Sequence, residues 1–386
     1  MPAASILVKP ASSACNIACG YCFYRTLSGR RAVPDAGLMS HETLRALTEN
    51  ALAYGAGYTA FAFQGGEPTL CGLAFYEQAV RLQRELRRPG QVVENSLQTN
   101  GLLLDEAWAE FLAREDFLVG LSLDGPQGIH DANRVDMRGQ GTHGRVLQAA
   151  ALLRAHGVRF NILSVVTDET CAHAAELYAF YKANGFPYVQ LIPCLDEGQG
   201  TTAEGVRAGR WAVNAEGYGR FLCELFDLWY ADFMAGQDMD VRMFSNLAQL
   251  AAGYPAEECG MSGRCTCYFA VEADGSVYPC DFYCTDAWKL GTVHEPFAAL
   301  AASEAAREFV RASTLRAPQC RACPWLALCR GGCRRWRDVG GAQGCSLNRL
   351  CPAYQRFFGH TWERLQALGR LIVSQHGPWT PANVFT

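Results

Sequence analysis

Cys15-Asn-Ile-Ala-Cys19-Gly-Tyr-Cys22-Phe-Tyr24 is the stretch on which the reading of this chain turns. Its cysteines stand at i, i+4 and i+7. A [4Fe–4S] cluster takes one thiolate per iron. Three thiolates leave one iron without a protein ligand, open to a small molecule. A structural zinc takes four closed ligands, and no fourth Cys or His stands nearby.

The totals widen that reading. A chain of 386 residues has room for one large domain plus a smaller one, or for an enlarged barrel. Hydrophobic residues make up 49% and charged ones 19%, a balance suited to a large core. A net charge of −4 leaves no footprint for nucleic acid. The basic run Arg330 to Arg337 is broken by glycines and set among cysteines. The opening ten residues lack the basic and long apolar segments of a secretory signal. No stretch approaches eighteen apolar residues, so no membrane span is expected. A cytoplasmic location follows as an expectation. There, eighteen cysteines argue for metal rather than disulfides. Eleven of them lie between Cys259 and Cys351, which predicts one metal site at the front and more at the back.

From residue 5 to about 195, apolar runs alternate with amphipathic stretches. Strands are predicted at Ser5–Lys9, Tyr58–Phe63, Val92–Leu97, Phe117–Leu123, Arg159–Val166 and Tyr188–Ile192. They are short and largely apolar, as buried parallel strands are. Ser40 reads as the N-cap of a helix carrying Leu44, Leu47, Ala51 and Leu52. Phe75, Ala79, Leu82 and Leu86 recur at helical spacing until Pro89-Gly90. Helices are also predicted at Asp105–Ala113, Arg145–His156 and Thr170–Ala183. Such alternation implies a parallel α/β architecture. Periodicity alone does not separate a barrel from an open sheet. In both, sites form beyond the C-terminal ends of strands, and the motifs follow that rule. The cysteine triplet follows the first strand, Gln64-Gly-Gly-Glu-Pro-Thr69 the second, Gln98-Thr-Asn-Gly101 the third and Asp124-Gly-Pro126 the fourth.

With these motifs in order, the chain resembles the radical S-adenosylmethionine (SAM) enzymes. That resemblance implies a partial (β/α)6 TIM-like barrel whose open iron chelates the amino and carboxylate groups of SAM. Gly65-Gly66-Glu67 resembles the family's GGE motif, whose backbone contacts the SAM amino group, and adjacent glycines permit a close backbone approach. Ser122 matches a position that contacts the SAM carboxylate or ribose. Tyr21 and Phe23 beside the cysteines, Gln98 at the end of the third strand and Leu191 on the sixth join the expected cofactor wall.

Gly198–Gly209 reads as a glycine-rich link and Tyr218–Phe233 as an aromatic amphipathic helix. The second cysteine set runs Cys259-x5-Cys265, Cys280, Cys320-x2-Cys323-x5-Cys329-x3-Cys333 and Cys351. Tyr268–Val271 and Ser276–Pro279 flank Asp274-Gly275 and read as a hairpin. The cysteine pattern resembles the SPASM domain, a C-terminal extension carrying two auxiliary [4Fe–4S] clusters. By that resemblance Cys259, Cys265, Cys280 and Cys333 hold one cluster, and Cys320, Cys323, Cys329 and Cys351 the other. Full ligation suits electron transfer. Cys267, Cys284 and Cys345 are left over, with Cys267 a rival for Cys265 and Cys345 a rival for Cys351. Spacing alone leaves zinc open. The expected organisation is a barrel with adjoining helices over 1–235, a linker over 236–258, SPASM over 259–351, and a helix and tail over 352–386.

Five stretches narrow the resemblance to the anaerobic sulfatase-maturating enzymes: Cys22-Phe-Tyr24, Ala62–Thr69, Asn95–Gly101, Val119–Pro126 and Tyr278–Tyr283. The implied reaction is oxidation of a sulfatase Cys or Ser to Cα-formylglycine. A 5′-deoxyadenosyl radical takes hydrogen from the substrate Cβ, and an electron passes to the auxiliary clusters. Asp281, beside Cys280, matches the family's general base, and such a base must reach the substrate thiol or hydroxyl. Tyr24 and Gln64 are expected to touch the substrate peptide or cofactor. The implied partners are a sulfatase polypeptide and an external electron donor such as flavodoxin or ferredoxin.

Two rival readings are a SPASM enzyme that crosslinks a ribosomal peptide, for example by a thioether, and a non-catalytic Fe–S electron-transfer or zinc protein. Peptide-crosslinking enzymes commonly carry an N-terminal winged-helix recognition domain, and here the triplet begins at residue 15.

Overall fold

Apolar runs at the front of the chain form β1 (Ala4–Val8), β2 (Tyr58–Phe63), β3 (Val92–Thr99), β4 (Leu118–Ser122) and β5 (Phe160–Val166). The computed structural model describes residues 4–195, 211–237, 239–338 and 347–380. Two compact units emerge. Of the described residues, one takes 4–163 and Cys267–Phe309, and the other takes the rest.

In the first unit β1 to β5 run parallel in chain order. Helices His41–Tyr54, Leu73–Leu86, Glu106–Arg114 and His143–Ala155 alternate with them. The boundaries have local causes. Ser40 accepts from the Thr43 amide and Asp105 from the Trp108 amide, each satisfying an amide that the first helical turn leaves unpaired. Between helices and sheet, Phe63 meets Tyr76 at 5.1 Å between ring centroids, and Tyr76 meets Trp108 at 5.1 Å. Burying such rings is the main stabilising term of the layer.

Three further strands extend this sheet: β8 (Ala270–Val271), β9 (Ser276–Tyr278) and β10 (Gly291–Thr292). The order is β10-β9-β8-β1-β2-β3-β4-β5. β8 pairs parallel to β1, with Leu7 opposite Ala270 and Val8 opposite Val271. β8 and β9 form the expected hairpin around Asp274-Gly275, Gly275 having φ +81°. The sequence placed that hairpin in a separate C-terminal domain. Its backbone hydrogen bonds and the buried cluster of Leu7, Leu27, Ala270, Tyr278 and Cys284 instead make it part of the first unit.

In the second unit lie β6 (Tyr188–Pro193), β7 (Asp240–Val241) and helices Ala174–Ala183, Ala215–Met234, Arg242–Ala251 and Cys351–His376. The stretch 236–258, expected to be a linker, contains the helix Arg242–Ala251. That helix buries Met243, Phe244, Leu247 and Leu250. Phe244 packs at 5.1 Å on Phe226 and 5.7 Å on Phe357. A short apolar face at helical spacing was the missed signal. The glycine-rich link expected at 198–209 lies outside the described residues. Among the described residues, no helix is long and apolar enough to cross a membrane.

Candidate active site

The cysteine triplet sits on the loop after β1, and the loop after β2 is zipped onto it. Gly66 N–H donates to the Ser12 carbonyl at 2.9 Å, and Glu67 N–H to the Ala14 carbonyl at 2.7 Å. A Cβ on Gly66 would lie 2.0 Å from the Ala14 oxygen, and Gly65 has φ +119°. The two glycines therefore let this loop touch the cysteine loop itself. The Glu67 side chain is buried and fixes a third loop. It accepts from Thr69 N–H and Oγ1, from Thr99 Oγ1 at 2.8 Å and from Asn100 N–H at 2.8 Å. Asn100 Nδ2 in turn lies 3.9 Å from Cys15 Sγ.

Burial pushes the Cys15 thiol up to about 12 and the Cys19 thiol up to about 11. Thiols held this way stay protonated until a metal replaces the proton. The three cysteines Cys15, Cys19 and Cys22 on one loop fit the open-iron cluster that the spacing predicts.

On the other side of the loop, Arg134 is buried against Asp124. Its Nε and Nη2 donate to the two carboxylate oxygens at 2.9 and 3.1 Å, while Nη1 lies 4.0 Å from Cys19 Sγ. Burial works against the guanidinium charge, and Asp124, together with Tyr21 and Cys19, more than offsets it. The Tyr21 hydroxyl also donates to Asp124, and the Tyr21 ring lies 5.5 Å from the guanidinium. Phe23 instead packs on Tyr24 and Phe282. Gln98 Nε2 donates to Ser122 Oγ at 3.0 Å, so these two expected cofactor residues are neighbours on β3 and β4. Leu191 lies half-buried on β6, in the second unit.

Asp281 follows β9 and is buried in a polar knot. Its Oδ2 accepts from Tyr24 at 2.6 Å and from Gln64 at 3.1 Å. Its backbone N–H donates to Tyr268 Oη at 2.9 Å, and that hydroxyl lies 3.1 Å from Cys280 Sγ. Lys9 Nζ stands 3.9 Å from Asp281 Oδ1 and 4.8 Å from the Tyr24 ring centroid. Beneath it, Glu272 pairs with both Lys9 and Arg31 and accepts from Ser12 at 2.9 Å. Burial opposes the Lys9 charge, and the neighbours Cys284, Asp281 and Glu272 outweigh it. Asp281, Tyr24 and Gln64, separately expected from sequence, thus meet at one point. Lys9, Glu272, Arg31, Arg134 and Asn100 were missed. For Lys9, Glu272 and Asn100 the signal was a charged or amide group directly after a strand, where burial demands a partner; Arg31 and Arg134 follow the short helices Phe23–Ser28 and Gln127–Asp131 and carried no such mark.

In the second unit the back cysteines form two groups. Cys259, Cys265 and Cys333 lie within one another's electrostatic reach, as do Cys320, Cys323, Cys329 and Cys351. Burial pushes Cys333 up to about 12 and Cys329 up to about 11. Cys280 belongs to the first unit. Cys284 is fully buried beside the Cys280 carbonyl. Cys267 lies 3.9 Å from the Ala306 carbonyl, and Cys345 is outside the described residues.

Family models match two parts of the chain: the Radical SAM superfamily over residues 10–181 and the SPASM iron–sulfur cluster-binding domain over residues 259–324. The cysteine-type anaerobic sulfatase-maturating enzyme of Clostridium perfringens (strain 13 / Type A) is 43% identical over 366 residues, covering 95% of this chain and 98% of that protein. The serine-type enzyme of Klebsiella pneumoniae is 33% identical, covering 95% and 89%. Among solved structures, native anSMEcpe with bound AdoMet and Cp18Cys peptide superposes with a TM-score of 0.89 at 41% identity, covering 96% of this chain and all of that one.

Proposed function

This chain belongs to the anaerobic sulfatase-maturating enzymes, radical SAM enzymes with a SPASM extension, and from that membership we propose how its own residues divide the work. The enzyme generates formylglycine by radical SAM chemistry, with SAM and iron–sulfur clusters as cofactors. We assign the front cluster to Cys15, Cys19 and Cys22. One auxiliary cluster is assigned to Cys320, Cys323, Cys329 and Cys351, supported by their grouping. The other is assigned to Cys259, Cys265 and Cys333, which also group, with Cys280 as fourth ligand on the sequence pattern alone. When bound, SAM on the front cluster supplies the radical that takes a hydrogen atom from the target Cβ, and the auxiliary clusters supply an electron acceptor.

The protein residues handle the proton. Asp281 accepts it from the substrate thiol or hydroxyl, through an oxygen atom of its carboxylate. Tyr24 and Gln64 fix that carboxylate from one side and Lys9 from the other. Glu67 holds the loops in register, and Gln98 and Ser122 present polar groups toward the cofactor. Loss of that proton and one electron leaves a thioaldehyde when the target is Cys, and water converts it to the aldehyde with release of hydrogen sulfide. The observation that carries this reading is the meeting of Tyr24, Gln64 and Asp281.

The substrate is a sulfatase peptide, and the target is proposed to be cysteine, since identity is 43% to the cysteine-type relative and 33% to the serine-type one. Paired peptides differing only in Cys or Ser, incubated anaerobically with SAM and reductant, test this by mass spectrometry. Faster conversion of the Cys peptide supports it, and preference for Ser overturns it. A small electron-carrier protein such as flavodoxin or ferredoxin is the proposed donor. The cytoplasm is the proposed compartment, on the cysteine usage.

A further inference from the structure

We propose that Arg134, clamped by Asp124, sets the reduction potential of the front cluster through Cys19. The proposal rests on the assignment of that cluster to Cys15, Cys19 and Cys22. A cluster gaining an electron becomes more negative, and hydrogen bonds and charge near its sulfurs tune how readily it does so. In a buried site such charges act strongly.

The geometry gives the guanidinium two separate edges. Nε and Nη2 are committed to Asp124, which leaves Nη1 as the group 4.0 Å from Cys19 Sγ. The positive charge therefore stands nearer the sulfur, with its counter-charge behind it. Tyr21 donates to the same carboxylate and its ring lies beside the guanidinium. Both backbones are pinned as well. Asp124 N–H donates to His130 Nδ1 at 3.2 Å, and Thr142 Oγ1 donates to the Arg134 carbonyl at 2.9 Å. Gly20 N–H donates to the Asn133 carbonyl at 3.0 Å and Ala18 N–H to the Val135 carbonyl at 2.8 Å, which ties the cysteine loop to the segment that carries Arg134. A plain structural ion pair needs no second edge aimed at a cluster ligand.

The test is a redox titration of reconstituted full-length enzyme, following the EPR signal that changes on adding SAM. Arg134→Gln is expected to load iron and to titrate more negatively. At the wild-type midpoint its reduced-to-oxidised ratio should fall about tenfold, which is about 59 mV for one electron. Arg134→Lys, keeping the charge, should recover most of the shift. Asp124→Asn, which removes the counter-charge, should titrate in the opposite direction. A structural role alone does not produce shifts of opposite sign. Arg134→Gln titrating with the wild type would overturn the proposal. Where Arg134→Gln fails to load, Asp124→Asn decides: a positive shift supports the proposal, and no shift or a negative one overturns it. A wild-type enzyme with full iron but no SAM-responsive signal would instead overturn the cluster assignment, and the proposal with it.

Discussion

Tyr24 and Asp281 are 257 residues apart in sequence, and the Tyr24 hydroxyl donates to Asp281 Oδ2 at 2.6 Å. This bond joins the short helix Phe23–Ser28 that follows the cysteine loop to the turn after β9, and it exists because β8 pairs with β1. A hydrogen bond to a charged group is worth about 1.5–3 kcal/mol. Tyr24→Phe is therefore expected to slow formylglycine formation roughly 10- to 100-fold at unchanged iron content. Rates by mass spectrometry and an iron assay check it, and a wild-type rate would remove this bond from the mechanism.

Glu272 is the only carboxylate among the described contacts that pairs with both Lys9 and Arg31. All three side chains are buried. Removing one partner of a buried ion pair costs about 3–5 kcal/mol, because the other charge is left without compensation. Glu272→Gln should lower the thermal midpoint sharply, whereas exchanging exposed Glu85, paired at the surface with Arg45, should barely move it. Equal midpoints for the two variants would show that the buried Glu272 pairing contributes no more than a surface one.

Gly66→Ala tests the contact between loops. Its Cβ would sit 2.0 Å from the Ala14 oxygen, a backbone atom that moves only with the cysteine loop. The expected outcome is loss of the front cluster with the back ones retained. Iron should fall from about twelve to about eight per chain, given four irons per cluster. Full iron in Gly66→Ala would show that the loop tolerates the displacement.

His130 is fully buried, and burial lowers it to about 4 from 6.5. Its Nδ1 accepts from Asp124 N–H, so the ring's proton is on Nε2, which meets Thr142 Oγ1 at 2.9 Å. The folded-state value lies below the unfolded one, so the unfolded chain takes up the proton first as pH falls. Stability is full above 6.5 and is lost progressively toward 4. From about pH 7.5 to about pH 5.5 the loss from this one group is about 1.4 kcal/mol. His130→Asn should be less stable at neutral pH but lack this slope. Parallel pH profiles for variant and wild type, measured by denaturant midpoint, would count against it.

Much of the fold was legible because the strands are short apolar runs with motifs at their C-terminal ends. Tyr58–Phe63 matches its expected bounds, and β1 and β5 differ by one residue at their edges. The triplet, the glycine pair and Asp281 were legible as motifs. Pairings over long sequence separation were not. Nothing local in Val271-Glu272 says that it will lie beside Val8-Lys9, and that register puts Glu272 under Lys9. Arg134 carries no local signature, because its pairing with Asp124 across ten residues is made by the fold of the intervening chain. The helix Arg242–Ala251 was missed because a ten-residue apolar face between glycine-containing segments carries little periodic signal.

Asp281→Asn is the most direct measurement of the central claim that this carboxylate takes the substrate proton. Wild type and variant would be incubated anaerobically with SAM, reductant and a sulfatase-motif Cys peptide, and both 5′-deoxyadenosine and formylglycine peptide quantified by mass spectrometry. A positioned general base contributes about 100- to 10,000-fold. The account predicts that the variant retains its iron and still forms 5′-deoxyadenosine while formylglycine falls at least about 100-fold. Wild-type formylglycine yield from fully loaded Asp281→Asn would contradict it.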